Sequence, residues 1–377
     1  MEVKVWNYLE EYKEEKDEII NAIERVFESG TLIFGDNLKN FEDEFAKYCN
    51  SQYGIGVGNC TDAIRIALEA LGIGKGDEVI TVSNTAIPTV SAIVQSGATP
   101  VFVDINEKDY LLDVNKIEDV ITNKTKCILP VHLFGQCADM DVISQIAKIH
   151  DCFILEDCAQ AHGSLYKGNK AGSFGNVSAF SFYPTKVLGT YGDGGMIVTN
   201  NETIYELSTS LRFYGIEGYG KPEVTRKYYS ERHGYNSRLD ELHASILLGK
   251  LGHIEEYISN RRKIAEIYNS ELSNLGLVLP NENNYGRHVY YIYCVRHPDR
   301  DRILNELRNH DIYLNISYPY PIHLMNGYKQ LGYKKGDLPI TEKFGEELFS
   351  LPMYPSLNEL EIEYIINTLK KILSNKS

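Results

Sequence analysis

With 377 residues, 43% of them apolar and 24% charged, the chain has an ordinary globular composition and room for two or three domains, which excludes intrinsic disorder and fibrous repeats. Its 38 Lys and Arg against 52 Asp and Glu leave a net charge of −14. That field repels polyanions, so neither nucleic acid nor anionic membrane is an expected partner. The seven cysteines (Cys49, Cys60, Cys127, Cys137, Cys152, Cys158 and Cys294) are odd in number and hold no C-x-x-C pair, so neither a disulfide framework nor a metal site is expected. The first twenty residues alternate in charge without an apolar stretch, and no apolar run approaches the roughly 20 residues of a membrane helix. The expectation is a soluble, cytoplasmic protein.

In chain order, residues 12–29 read as an amphipathic helix with Ile19, Ile20, Ile23, Val26 and Phe27 on one face. A Gly-bounded loop (29–37) leads to a second helix at 38–49. Residues 53–59 form a strand entering a Gly-rich turn, and 62–71 a helix closed by Gly72. Apolar strands at 78–83, 100–105, 127–133, 152–157, 176–183 and 195–200 then follow, with helices at 88–97 and 140–150 among them. Near-continuous apolar strands separated by helices predict an α/β fold with a mostly parallel sheet covered on both faces. Beyond residue 200, the stretch 241–272 predicts one long helix, followed by a strand at 288–296 and helices at 301–311 and 358–374. A boundary within 250–275 divides a large domain (1–255) from a smaller C-terminal α+β domain (256–377).

Ligands of such sheets bind beyond the carboxyl ends of the strands, and four loops there carry candidate chemistry. Gly56-Val57-Gly58-Asn59-Cys60-Thr61-Asp62 turns a strand into a helix, where free amides suit a phosphate; alone, the same residues read as an ordinary turn. Glu156-Asp157-Cys158-Ala159-Gln160-Ala161-His162-Gly163 places carboxylates at the end of an apolar strand, where they need a cationic partner or serve as an N-cap. Ser181-Phe182-Tyr183-Pro184-Thr185-Lys186 precedes a Gly-rich loop, so Lys186 is either a surface residue or an amine desolvated in a cleft, apt for Schiff-base chemistry. His233 to Glu241 leads into the long helix, with Asp240 and Glu241 placed to favour its dipole. Together the loops supply an amine, a carboxylate for a pyridine nitrogen, and amides and hydroxyls for one phosphate, the parts that pyridoxal 5'-phosphate (PLP) needs.

In the motifs GNCTDA, GDEVI, GATPVFVDI, PVHLFGQ, EDCAQAHG, SFYPTK, GDGG and GYNSRLDELHA, the sequence resembles the DegT/DnrJ/EryC1/StrS sugar aminotransferases, from residue 29 to residue 323. The resemblance implies the three-layer PLP-transferase fold of fold type I. It implies that Lys186 carries the cofactor as a Schiff base and moves the proton between Cα and C4′. Asp157 would pair with the pyridine nitrogen, and Gln160 would contact the ring face or its 3-oxygen. Ser181 and the backbone at Cys60 and Thr61 would hold the phosphate, with Asn236 reaching it from a partner subunit, so that a homodimer shares its active sites. Tyr183, Lys227 and Tyr318 would contact the nucleotide-sugar, Arg226 and Lys227 lying where a diphosphate needs offsetting, and His162 would play a supporting part.

Two departures stand out. Ala86 stands where relatives stack an aromatic ring on the cofactor, and Ser317-Tyr318-Pro319 where many read His-Tyr-Pro. Dehydratase relatives replace the lysine by His, so Lys186 favours transamination. The implied reaction moves an amino group from L-glutamate onto a nucleotide-linked deoxysugar, at C3 of a dTDP-3-keto-6-deoxyhexose. The alternatives are a C4 or keto-cyclitol aminotransferase and a non-catalytic, ligand-binding regulatory protein.

Overall fold

In the computed structural model, which describes residues 1–217 and 228–374, the sheet forms where the apolar runs place it. The elements are α1 (Tyr8–Ser29), α2 (Asp36–Tyr48), β1 (Tyr53–Val57), α3 (Cys60–Ala70), β2 (Glu78–Val82), α4 (Ile87–Gln95), β3 (Thr99–Val103), β4 (Thr125–Ile128), α5 (Met140–Ile149) and β5 (Phe153–Asp157). A small hairpin, β6 (Leu165–Tyr166) and β7 (Asn169–Lys170), precedes β8 (Val177–Ser181), β9 (Gly195–Thr199) and α6 (Glu202–Leu211). Seven strands pair in the order β1-β9-β8-β5-β4-β2-β3. The run from β8 to β3 is parallel, and β9 alone runs against its neighbours β1 and β8. Every residue of β8 and β9 is buried, which explains why these segments read as unbroken apolar runs.

The stretch 241–272, expected to be one helix, is two: α7 (Glu241–Leu251) and α8 (Ile254–Leu272). At the joint the Gly252 and His253 amides reach Gly249 and Lys250, three residues back instead of four. That tightens the backbone and turns the chain. Next come β10 (Gly286–Arg287), β11 (Tyr293–Arg296), α9 (Arg300–Arg308), α10 (Pro339–Glu347), β12 (Leu348–Leu351) and α11 (Glu359–Ser374). The expected strand 288–296 shrinks to its last four residues because Tyr290 takes a left-handed φ of 47°, which ends extended backbone.

A second core joins α8, α9, α11 and the β11–β12 pair, and buries Val3 from the chain's start. The edge strand β3 is covered by the segment after residue 322, whose Tyr333 hydroxyl accepts a hydrogen bond from the Phe102 amide at 2.9 Å. Among the described residues no helix is long and apolar enough to cross a membrane.

Candidate active site

At the carboxyl ends of β5 and β8 a cavity of about 260 Å3 opens, lined by Cys60, Thr61, Asp157, Gln160, Ser181, Tyr183 and Lys186. The cavity floor begins at α3. Asn59 caps this helix by accepting from the Asp62 amide at 2.8 Å. The cap leaves the Cys60 and Thr61 amides without intrahelical acceptors, as first-turn amides must be. Close approach of β9 requires Gly195, since a Cβ there would fall 2.5 Å from the Asn59 carbonyl carbon. The Ser181 hydroxyl accepts from the Tyr183 amide at 3.3 Å and stays at the cavity wall.

Asp157 ends β5 with its carboxylate buried. The Thr89 hydroxyl donates to it at 2.7 Å and the Ala159 amide at 3.0 Å. No helix follows, so the N-cap alternative is not realised; the bond to Ala159 closes a local turn instead. Burial pushes the Asp157 carboxyl above its ordinary range, against Thr89, Ala159 and the charge of Lys186. A buried carboxylate in this state gains from a cationic donor placed in the cavity. A protonated pyridine nitrogen is such a donor, the first-turn amides of α3 suit a phosphate, and Lys186 supplies an amine. These residues fit PLP.

Lys186 leaves β8 through a turn closed by its own amide on the Tyr183 carbonyl at 2.9 Å. Its Nζ lies 4.4 Å from the ring centroid of Tyr291, whose hydroxyl pairs with Thr185 Oγ1 at 3.0 Å. Gln160 is a bridge: its Oε1 accepts from the Phe134 amide at 2.7 Å, and its Nε2 donates to the Tyr318 hydroxyl at 2.5 Å. Phe134 and Tyr318 both have left-handed backbone, φ 59° and 58°, and their rings stack with centroids 6.2 Å apart. Such strain persists only where its surroundings enforce it, and here the Gln160 bridge joins the loop after β4 to the segment carrying Tyr318.

The remaining candidates divide. Tyr183 is exposed at the cavity mouth, and Ala86 lines the cavity as the residue before α4. Ser317 is buried and pairs with Ser350 Oγ at 2.9 Å, so its hydroxyl is engaged on β12. His162 packs among Phe45, Phe180 and Phe182, and burial pushes its pKa down to about 3, which keeps it neutral. Asn236 is exposed, bridges to Phe213, and is not brought to the cavity of its own chain. Arg226 and Lys227 lie outside the described residues.

The sequence reading passed over Thr89, Phe134 and Tyr291. Thr89 and Phe134 act through one hydroxyl and one amide, and Tyr291 sits inside an aromatic run that reads as strand. Among the described residues one cluster resembles a metal site, His132, Glu156 and Cys158. Yet His132 Nδ1 accepts from the Ala138 amide and its Nε2 donates to Glu156. Glu156 also accepts from the Gly172, Phe174 and Gly175 amides. The ligand atoms of His132 and Glu156 are thus already engaged in structural bonds.

A model of the DegT/DnrJ/EryC1/StrS aminotransferase family matches residues 13–370. The chain is 47% identical to the dTDP-3-amino-3,4,6-trideoxy-alpha-D-glucose transaminase of Micromonospora megalomicea subsp. nigra, covering 99% of this chain and 100% of that one. It is 42% identical to a pleiotropic regulatory protein of Geobacillus stearothermophilus, over 98% of both chains. Among solved structures, S. venezuelae DesV in complex with a ketimine intermediate matches with a TM-score of 0.95 and 38% identity, covering 100% of each chain.

Proposed function

The chain belongs to the DegT/DnrJ/EryC1/StrS aminotransferase family, and from that premise we propose that it is a PLP-dependent aminotransferase moving an amino group from L-glutamate onto C3 of a dTDP-linked 3-keto-6-deoxyhexose. The observation that carries the reading is the pair Asp157 and Lys186 on one cavity: a buried carboxylate that burial still holds above its ordinary range, and an amine lining the same space. PLP, when bound, supplies the electron sink for amino transfer. Asp157 would hold a proton at the pyridine nitrogen, and Thr89 and the Ala159 amide keep that carboxylate aimed. Lys186 Nζ would anchor the cofactor and carry the proton that moves on the substrate. The Cys60 and Thr61 amides with Ser181 hold the phosphate. Gln160 lines the cavity and links Phe134 to Tyr318, so it would position Tyr318 for the sugar.

Asn236, exposed on its own chain, completes the phosphate site of a second copy, and Tyr183 and Lys227 join the nucleotide-sugar contacts. Mixing Lys186→Ala and Asn236→Ala chains under subunit exchange should then restore measurable activity. No recovery despite exchange would leave each chain with its own site.

The 42% identity to a protein named as a regulator gives the regulatory reading its one support. The deciding experiment offers PLP, L-glutamate and a panel of 3-keto and 4-keto dTDP-sugars to the purified chain, and follows 2-oxoglutarate and amino-sugar by mass spectrometry. Turnover with the 3-keto sugar is expected. Turnover confined to 4-keto sugars or keto-cyclitols would move the position, and bound cofactor without turnover on any would favour the regulator.

A further inference from the structure

We propose that Tyr291 is a further residue of the reaction centre, the docking point that holds the Lys186 amine whenever that amine is not bonded to the cofactor. The proposal rests on the functional reading only for the role of Lys186; the contact itself is a feature of the chain.

Tyr291 comes from the segment between β10 and β11, far in sequence from Lys186, and two devices fix it. The left-handed turn at Tyr290 redirects the chain. The fully buried Arg261 clamps the backbone from α8, its Nη1 donating to the carbonyls of Tyr291 at 3.1 Å and Met353 at 2.8 Å. The ring so placed meets Lys186 Nζ at 4.4 Å from its centroid, within the range where a cation and an aromatic face attract. Thr185, the neighbour of Lys186, engages the Tyr291 hydroxyl at 3.0 Å, which ties the ring to the lysine's own segment.

The groups that bear on this pair are few. Asp157, Cys60 and His162 lie within electrostatic reach of Lys186, and Arg261 and Tyr318 within reach of Tyr291. Burial would push the Tyr291 hydroxyl up, but the charge of Lys186 and the bond with Thr185 pull it below the ordinary tyrosine value. The direction agrees with a charged amine held against this ring. An aminotransferase lysine is released and recaptured in each cycle, and a docked amine returns to the same place.

The test measures acetylation of Lys186 in the cofactor-free full-length chain at neutral pH, by mass spectrometry, with exposed Lys47 as the internal reference. Docking slows the reaction. Tyr291→Phe keeps the ring and loses the hydroxyl, and Tyr291→Leu loses both. The expected order is wild type slowest, Tyr291→Phe about threefold faster and Tyr291→Leu about tenfold faster, as attractions of this class imply. Thr185→Val, which removes the bond that fixes the Tyr291 ring beside the lysine, should fall near Tyr291→Phe and keeps the question open to test if the leucine variant does not fold. Equal Lys186 rates in wild type, Tyr291→Phe and Thr185→Val would overturn the proposal. Separately, borohydride reduction of the PLP-loaded protein should fix a pyridoxyl group on Lys186. Its absence there would sink the functional reading while leaving the acetylation order to decide the docking contact.

Discussion

Glu156 and Asp157 are neighbours on β5, and the alternation of a strand sends them to opposite faces of the sheet. Both are buried. Glu156 accepts from His132, Gly172, Phe174, Gly175 and Ser178, and although burial alone would push it up, the His132 bond and the glycine amides hold its carboxyl below the ordinary range. Among the described residues the Asp157 carboxylate accepts from Thr89 and Ala159 alone, and burial holds it above. The same strand thus ends in a carboxylate whose bonding is complete and another whose bonding is deficient. The complete one secures the loop at 172–178 to the sheet. The deficient one borders a cavity, and its missing partner is what a ligand brings.

Exchanging the charge at each position separates the two roles. Asp157→Asn keeps the shape, since an amide still accepts from Ala159 and donates to Thr89, but it removes the negative charge that, on the proposed reading, retains a proton on the pyridine. Turnover should fall by about a hundredfold to a thousandfold, the size of a lost proton-transfer role, with the unfolding transition intact. Steady-state assays beside circular dichroism check this, and near-normal turnover would assign the role to another carboxylate. Glu156→Gln should do the reverse. Removing one partner from a buried charged network destabilises by about 3 kcal/mol, read as a lowered urea midpoint, while activity per folded molecule changes little.

How legible this was follows from where the information sits. The strands were legible because a sheet buried on both faces demands continuous apolar runs, and β8 and β9 are buried throughout. Lys186 and Asp157 were legible because a charge closing such a run is conspicuous. The break between α7 and α8 was not, because Gly252 keeps a helical φ of −63° and only its hydrogen bond shortens. Tyr291 was hidden for a related reason: its neighbours Tyr290 and Tyr293 are as aromatic as it is, and a single positive φ decides which of them meets Lys186. The bonding of Glu156 was equally out of reach, since three of its donors are backbone amides.

The comparison extends to pH, with opposite signs for the cofactor-free chain. Glu156 is held low in the folded state, so the stability it contributes is present above its unfolded pKa and is lost as pH falls through its folded value. Asp157 is held high, so its contribution is present below its unfolded pKa and is lost as pH rises through its folded value. Urea midpoints across the carboxylate range should therefore show Glu156→Gln flattening the acid loss. Asp157→Asn should be more stable than wild type at neutral pH, with the gap closing as pH falls. A neutral-pH midpoint for Asp157→Asn below that of wild type would contradict the deficit assigned to Asp157.

The smallest effect belongs to Thr89, which completes half of the bonding that Asp157 has. Its hydroxyl donates to Oδ2 at 2.7 Å and pairs with Thr85 Oγ1 at 3.1 Å, so a short relay ends on the carboxylate. Thr89→Val keeps the β-branched shape and removes the donor, a bond to a charged group that contributes about 1.5 kcal/mol. The ionised form of Asp157 loses that support, so protonation should begin at higher pH. Since a protonated Asp157 no longer favours a protonated pyridine, the acid limb of kcat/KM should move to higher pH, with a several-fold loss of activity on that limb and little change at its plateau. Thr85→Val acts one bond further out and should move the limb in the same direction by less. An acid limb that stays in place in Thr89→Val would mean that the hydroxyl merely packs against the carboxylate, and that the Ala159 amide alone holds Asp157 in its working orientation.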